Sequence, residues 1–411
     1  MRRVAITLVA LVGATARLAG QATEDTSARW DSVLKAHRYE LQIRNGRLMG
    51  PAAAFLDQAV RGTQFVSLGE SHNNRDVPLF TSALFRMLSE NHGFGYLAIE
   101  SGSTMVTPLG RAPRVGNADS VRAYARRYPN GLQFTSDQEL DMIAEIGRLS
   151  RAAGTRVWGV DQEYGGLHML ERLVALAQSP QSRTLAERVT VRAREYDAER
   201  HRTGDTRYIS RMAKTADFDS LKEVFRAATG SEAAYLIDAL QTSHRIYQNN
   251  IFARERMSGY ESNREREELM KTRFLEFYRE AQRAGVNSPR VLLKLGHWHI
   301  IRGLNWGRQF TLGDFAANLA RANDQKALSI ALYLNNDSGN YGVLKQYPDY
   351  EPFARAALPN GWTLLDLRPL RPFVQAGRIR LNAEQERIVL GFDLALLISN
   401  TAAADFATIG R

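Results

Sequence analysis

The sequence predicts an α/β protein: a mostly parallel central sheet flanked by helices, with a large all-helical insertion. Three observations carry this. Short apolar runs recur along the chain, and four of them stop at a carboxylate or an imidazole. The first two runs are separated by one helical segment, so that strand, helix and strand take roughly 40 residues, as a parallel βαβ unit does. From Leu167 to Ala284 the strand-like runs vanish, and Ala, Arg, Glu and Leu dominate, as in helices.

The 411 residues exceed an ordinary domain and allow one domain with an insertion. With 44% apolar and 24% charged residues the composition is that of a globular chain, not a disordered one. The chain is divided as 1–22 signal peptide, 23–166 first part of the α/β core, 167–287 helical insertion, and 288–411 second part of the core. The leader is read from a basic Met1-Arg2-Arg3, a run of apolar and small residues from Val4 to Ala16, and small residues before a cleavage after Ala22. That run is too short to span a bilayer, which takes about 20 residues, and no later stretch is long and apolar enough. An exported, periplasmic or extracellular protein with no membrane span is therefore expected.

The chain contains no cysteine, which excludes a thiol nucleophile, a thiolate metal site and a lipid-attachment cysteine. The formal net charge is +10, and removal of residues 1–22 leaves +7, because Arg2, Arg3 and Arg17 go with them. The basic residues are interleaved with acids, as at Arg192, Arg194, Arg200 and Arg202, which is the pattern of solvated helix faces. Nucleic acid is not expected as a partner. Attraction to anionic lipid or polysaccharide is a weaker consequence of the charge.

Residues 23 to 60 read as helical, with Trp30, Val33, Leu34, Phe55, Leu56 and Val60 at helix-like spacing and turns at Asn45-Gly46 and Gly50-Pro51. The first strand is Phe65–Leu68, followed by a helix from Val77 to Asn91. The second strand, Tyr96–Ile99, ends in Glu100-Ser101-Gly102. Residues 103–136 are turn-rich. A helix from Asp137 to Ala152, capped by Ser136 or Asp137, precedes the strand Arg156–Val160, which ends in Asp161-Gln162-Glu163. In the helical stretch Glu261–Ala284 is the strongest segment. The sheet resumes at Arg290–Leu295 and ends in Gly296-His297-Trp298-His299. A helix at Leu312–Asn323 leads to strands at Ala327–Leu334, Trp362–Asp366 and Phe392–Ile398, the last two linked closely enough for antiparallel pairing.

Seven residues occupy equivalent places just past strand ends: Glu70, His72, Glu100, Asp161, Glu163, His297 and His299. Ligands of open α/β sheets bind at the carboxyl ends of the strands, so the sheet would gather these residues along one edge. Glu163 is read as a helix cap or turn residue, and Asp161 divides between a site role and capping. His37, His92, His168, His201 and His244 fall on helices or helix ends and read as structural. Ser71 is not assigned as a nucleophile, because Gly69-Glu70-Ser71-His72-Asn73 lacks the final glycine of a nucleophile elbow. No phosphate-cradling glycine loop is present.

Two chemistries suit the constellation. In one, His72 is a general base paired with Glu70 or Glu100, and His297 polarises or protonates. In the other, His72, His297, His299 and Glu100 bind a divalent metal that activates water, with His297 and His299 sharing one face of an extended backbone.

Leu68-Gly69-Glu70-Ser71-His72, Ala98-Ile99-Glu100 and Gly296-His297-Trp298-His299 with Arg302-Gly303 resemble the erythromycin esterase and ChaN-like superfamily, which includes the Tiki proteins. The resemblance spans residues 62–103, 156–163 and 288–318. It implies an α/β core with helical insertions and a site of Glu and His at strand ends. Its esterase branch implies metal-independent hydrolysis, with His72 as base, Glu70 and Glu100 in support and His297 opposite. Asp161, His299, Arg302 and Arg75 would then bind a small-molecule substrate. The esterases resemble Gly-Glu-x-x-His, whereas one residue separates Glu70 from His72 here, a spacing closer to the ChaN-like branch. That branch implies haem or iron-ligand binding, and the Tiki branch implies metal-dependent hydrolysis. The expectation is an exported hydrolase of an ester or related acyl bond that needs no cofactor, with haem or a divalent metal as the alternatives. The oligomeric state is left open.

Overall fold

The computed structural model describes residues 28–111, 114–203, 209, 213–335, 347–359 and 361–410. The leader expected at 1–22 lies outside the described residues. Nine strands form among them: β1 (Arg38–Arg44), β2 (Arg47–Met49), β3 (Thr63–Glu70), β4 (Tyr96–Gly102), β5 (Val157–Asp161), β6 (Val291–Gly296), β7 (Lys326–Asn335), β8 (Trp362–Asp366) and β9 (Leu394–Ser399). Most strand pairs are parallel and helices surround them, as the apolar runs predict. No helix among the described residues is long and apolar enough to cross a membrane.

The chain divides into two compact units. The larger comprises Ile43–Leu48, Leu56–Ser329 and Ala402–Arg411. Its strands lie in the order β3-β6-β4-β5, all parallel. Every residue of these four strands is buried, the signature of parallel strands covered on both faces. The order matters for the site. β6 arrives late in the sequence yet sits between β3 and β4, so Gly296 aligns with Glu70 on one side while β4 delivers Glu100 on the other. Within the segment that follows β5, Leu167–Leu176, Pro180–Thr203, Thr215–Phe225, Glu232–Ile251 and Gly259–Arg283 are helices. They have an apolar core of their own, including Leu170, Val189, Phe218 and Leu240.

The smaller unit comprises Met1–Gln42, Met49–Phe55 and Ile330–Thr401. Here the order is β1-β8-β9-β7, with β8 antiparallel to both neighbours and β7–β9 parallel. Trp30 packs edge-on against Phe353 at 5.6 Å, and Tyr39 stacks on Phe55 at 4.3 Å.

The helical reading of residues 23–60 is corrected in its middle. Residues 28–36 and Pro51–Ala59 are helical, but β1 and β2 lie between them. Asn45 and Gly46 both take positive φ, 51° and 68°. That conformation suits a tight hairpin turn and is the reason Asn-Gly is a strong hairpin signal; the turn joins two strands rather than two helices. The turn-rich stretch 103–136 contains two helices, Ser103–Gly110 and Ala118–Arg127.

The connection from β3 to the helix Asp76–His92 is fixed by two asparagines. Asn73 takes a left-handed φ of 60°, which asparagine tolerates better than most residues. The Asn74 Oδ1 atom accepts hydrogen bonds from the backbone of Asp76 (2.9 Å) and Val77 (3.3 Å), and its amide donates to Ala402 O. The helix closes on Gly93 at φ 70°. Asn74→Ala removes this cap and is expected to cost about 1 kcal/mol, read as a lower midpoint in denaturant unfolding; an unchanged midpoint would show that the cap adds nothing.

Candidate functional site

The carboxyl ends of β3, β4, β5 and β6 in the larger unit converge on a cluster of charged side chains. Glu70, the last residue of β3, is buried, and its Oε1 atom lies 3.1 Å from Nδ1 of His72. The other ring nitrogen, Nε2, stands 3.6 Å from Oε2 of Glu100, beyond a direct hydrogen bond. The imidazole stacks on Phe134 at 3.9 Å between centroids and keeps 30% of its side chain exposed. His72 is thus held between two carboxylates with an edge open to solvent. Gly296 permits this approach: a Cβ there would stand 3.0 Å from His72 Nε2 and 3.3 Å from Glu100 Oε2.

Beneath Glu70 lies Lys294, which interrupts the apolar run of β6. Its Nζ donates to Glu70 (2.8 Å) and to Glu139 Oε1 (2.6 Å) on the helix Asp137–Leu149. Burial alone would lower the ammonium pKa, but Glu139 and Glu70 hold it above its ordinary value. Burial would raise Glu70, but Lys294 and His72 keep its carboxyl below the usual range. For Glu139 burial wins over Lys294, and its carboxyl is pushed up.

Glu100 is the centre of the other half. Its Oε2 accepts from the Gly296 backbone at 2.7 Å and its Oε1 from Arg266 at 2.8 Å. Arg266 also grips Asp161 through two donors, the Nε contact measuring 2.9 Å. Burial opposes ionisation of Glu100, yet His299, His72 and Arg266 hold its carboxyl below its ordinary range. His299 is buried, with Nδ1 2.6 Å from Glu267 and Nε2 3.5 Å from Glu100 Oε1. Two imidazoles, each with a carboxylate on Nδ1, therefore face opposite oxygens of one buried glutamate. For His72 the penalty of burial is outweighed by Glu100 and Glu70, and its pKa lies above the usual histidine value.

Of the residues singled out in the sequence, Glu70, His72, Glu100, Asp161 and His299 meet in this cluster. His297 follows Gly296 directly and is half-buried. His297–Ile300 is one helical turn rather than extended backbone, so His297 and His299 do not share a face as expected for a metal pair. Arg302 is half-buried just beyond that turn. Arg75 is exposed, and among the described residues no hydrogen bond or ion pair ties its side chain to the cluster. Glu163 does cap a helix, though not one next in sequence: its Oε1 accepts from Thr104 N (2.9 Å) and Ser103 Oγ (3.3 Å) at the start of Ser103–Gly110. His92 pairs with Asp57, His168 with Thr104 and His244 with Thr215, all outside the cluster.

Sequence reasoning missed Lys294, Glu139, Arg266, Glu267 and Phe134. Lys294 carried a signal, a charge inside the run Val291-Leu292-Leu293-Lys294-Leu295. So did Glu267, where the buried stripe Met270, Phe274, Phe277 and Ala281 extends one turn back onto a carboxylate. Glu139 sits three residues after the capping Ser136, a position that reads as a local cap partner, but its carboxylate goes to Lys294. Phe134, in an irregular loop, carried no signal.

The donor set does not fit a metal centre. Glu100 and Glu70, the carboxylates nearest the imidazoles, are already held by the cations Arg266 and Lys294. Among the described residues no three His, Asp or Glu side chains are grouped to hold a metal ion. The arrangement suits proton transfer at His72 Nε2, which has no direct hydrogen bond to a carboxylate and belongs to a ring with part of its side chain exposed, whereas His299 is buried.

No protein-family model matches the sequence, and no curated protein does. Three solved structures are similar in fold. One is a protein from Bacillus cereus, at 13% identity and a TM-score of 0.54, covering 92% of this chain and 99% of that one. The second is an erythromycin esterase mutant in its open conformation, at 13% identity and a TM-score of 0.54, covering 86% of this chain and 94% of that one. The third is a succinoglycan biosynthesis protein, at 12% identity and a TM-score of 0.52, covering 92% of this chain and 98% of that one. At such identities the likeness is one of fold alone.

Proposed function

We propose that the protein is an exported hydrolase that cleaves an ester or related acyl bond of a small molecule with a His72-activated water. The observation that carries this reading is the placement of His72, with Nδ1 on Glu70, Nε2 beside Glu100 and one edge open to solvent. The neutral ring donates Nδ1–H to Glu70, which leaves the Nε2 lone pair to take a proton from water. The resulting hydroxide attacks the acyl carbon. Glu70 and Glu100 stabilise the imidazolium, which then returns its proton to the leaving oxygen. His297, which directly follows Gly296 and is half-buried, is assigned to polarising the carbonyl. The fold shared with an erythromycin esterase supports the reading, without fixing the substrate.

The test is turnover of a panel of short esters by protein dialysed against a chelator. Hydrolysis that survives full metal removal supports a His/Glu mechanism, and activity restored only by added divalent metal would contradict it. Titration with haemin is expected to give no saturable Soret shift. A shift that saturates at one equivalent would move the assignment to haem binding.

A further inference from the structure

Five of the twelve large apolar side chains that stand exposed among the described residues fall in two short segments. Met257 is 91% exposed and Tyr260 52%, before and at the start of the helix Gly259–Arg283; Trp298, Leu304 and Phe310 are 38%, 47% and 59% exposed, after β6. The segments touch. Gln309 Nε2 reaches Tyr260 O at 3.4 Å, Leu304 and Phe310 face each other across a β-bridge, and Trp298 lies 5.8 Å from Trp306. Monomeric proteins seldom expose large apolar groups in neighbouring segments without a partner for them. The charge around them is mostly basic. The exposed Arg254 and Arg308 and the half-buried Arg302 lie in these segments, with Glu255 beside Arg254 and with Arg264 paired to Glu261 at 2.7 Å.

We propose that Met257, Tyr260, Trp298, Leu304 and Phe310, rimmed by Arg254, Arg302 and Arg308, form a docking surface for an anionic lipid bilayer. Trp and Tyr rings carry an apolar body and a polar edge, which suits the boundary between headgroups and acyl chains. Each arginine near an anionic surface adds attraction that fades within a Debye length. A second copy of the chain is a poorer occupant, because a two-fold contact through this patch would set arginine rim against arginine rim. Trp298 directly follows His297 at the end of β6, so docking would bring lipid-borne or membrane-partitioned molecules close to the strand end that carries Gly296. It does not depend on the hydrolytic reading.

The test uses the purified chain with vesicles of phosphatidylglycerol and, separately, of phosphatidylcholine alone, read by co-sedimentation and by the blue shift of tryptophan emission. Binding to phosphatidylglycerol is expected at low salt and is lost as salt rises, with little binding to phosphatidylcholine. Leu304→Ser with Phe310→Ser is expected to weaken it about tenfold or more. Arg254→Glu with Arg308→Glu is expected to weaken it comparably. These residues are on the surface, and circular dichroism checks the fold of each variant. Absence of binding to phosphatidylglycerol at low salt, or binding unaffected by Leu304→Ser with Phe310→Ser, would overturn the proposal. A lipid-free dimer that the same pair of substitutions dissolves would give the patch to a second copy and overturn it equally.

Discussion

His72→Ala is expected to lower ester turnover by roughly 10²–10⁴-fold, the range a positioned general base supplies, while the circular dichroism spectrum stays unchanged. The effect is large because the groups packed around the ring are already engaged. Glu70 and Glu100 are acceptors already engaged, by Lys294 and by Arg266 and Gly296. His299 is buried, with Nδ1 turned to Glu267. The fold should survive, since the His72 side chain is 30% exposed and its main partners are a loop phenylalanine and a carboxylate held independently by Lys294. Unchanged turnover in a folded His72→Ala protein would remove His72 from the mechanism. His72→Gln separates shape from chemistry, because it refills part of the space without a titratable ring and should be equally inactive.

Lys294→Met should be the most destabilising single change at the site. The ammonium is 3% exposed and lies between Glu70 and Glu139, both buried. Removing it leaves two carboxylates facing each other with no counter-charge, and breaking a buried pair in this way costs about 3–5 kcal/mol. Part of that cost is relieved when one carboxyl takes a proton, and Glu139, already pushed up by burial, is the natural site. Hence Lys294→Met with Glu139→Gln should be more stable than Lys294→Met alone, which simple loss of packing does not predict. The measurement is denaturant unfolding of the three proteins, and a double variant no more stable than the single one would contradict the electrostatic account. Where the proteins fold, Lys294→Met should also weaken the hold of Glu70 on His72.

Much of this site was legible in the sequence because it rests on a general rule of topology. Strand ends that deliver Glu70, Glu100, Asp161 and the His297–His299 turn are apolar runs stopping at polar residues, and parallel sheets collect such ends. What no strand pattern could supply was the order of the strands. That β6 lies between β3 and β4 is decided by long-range packing, and it is this placement that brings Gly296 against His72 and Glu100. The groups that hold the cluster were harder for a different reason. Arg266 and Glu267 belong to the run Arg264-Glu265-Arg266-Glu267-Glu268, which reads as a solvated helix face, yet both turn inward onto Asp161, Glu100 and His299. Charge patterns along a helix do not reveal a buried charged partner elsewhere in the chain. The hairpin at Asn45-Gly46 was missed through the opposite error: a strong local signal was subordinated to weak helical spacing around it.

The most direct measurement of the central claim is the pH dependence of kcat/KM for ester hydrolysis by metal-free wild type and Glu100→Gln. The active base is neutral His72, so turnover must rise with pH as the ring loses its proton. Because Glu100 and Glu70 raise the ring's pKa against the effect of burial, the ascending limb should lie above the ordinary histidine value of about 6.5. Glu100→Gln removes one of the two raising charges and should move that limb to lower pH. A limb at or below the ordinary histidine value in the wild type, or one that Glu100→Gln leaves in place, would contradict His72 as the base.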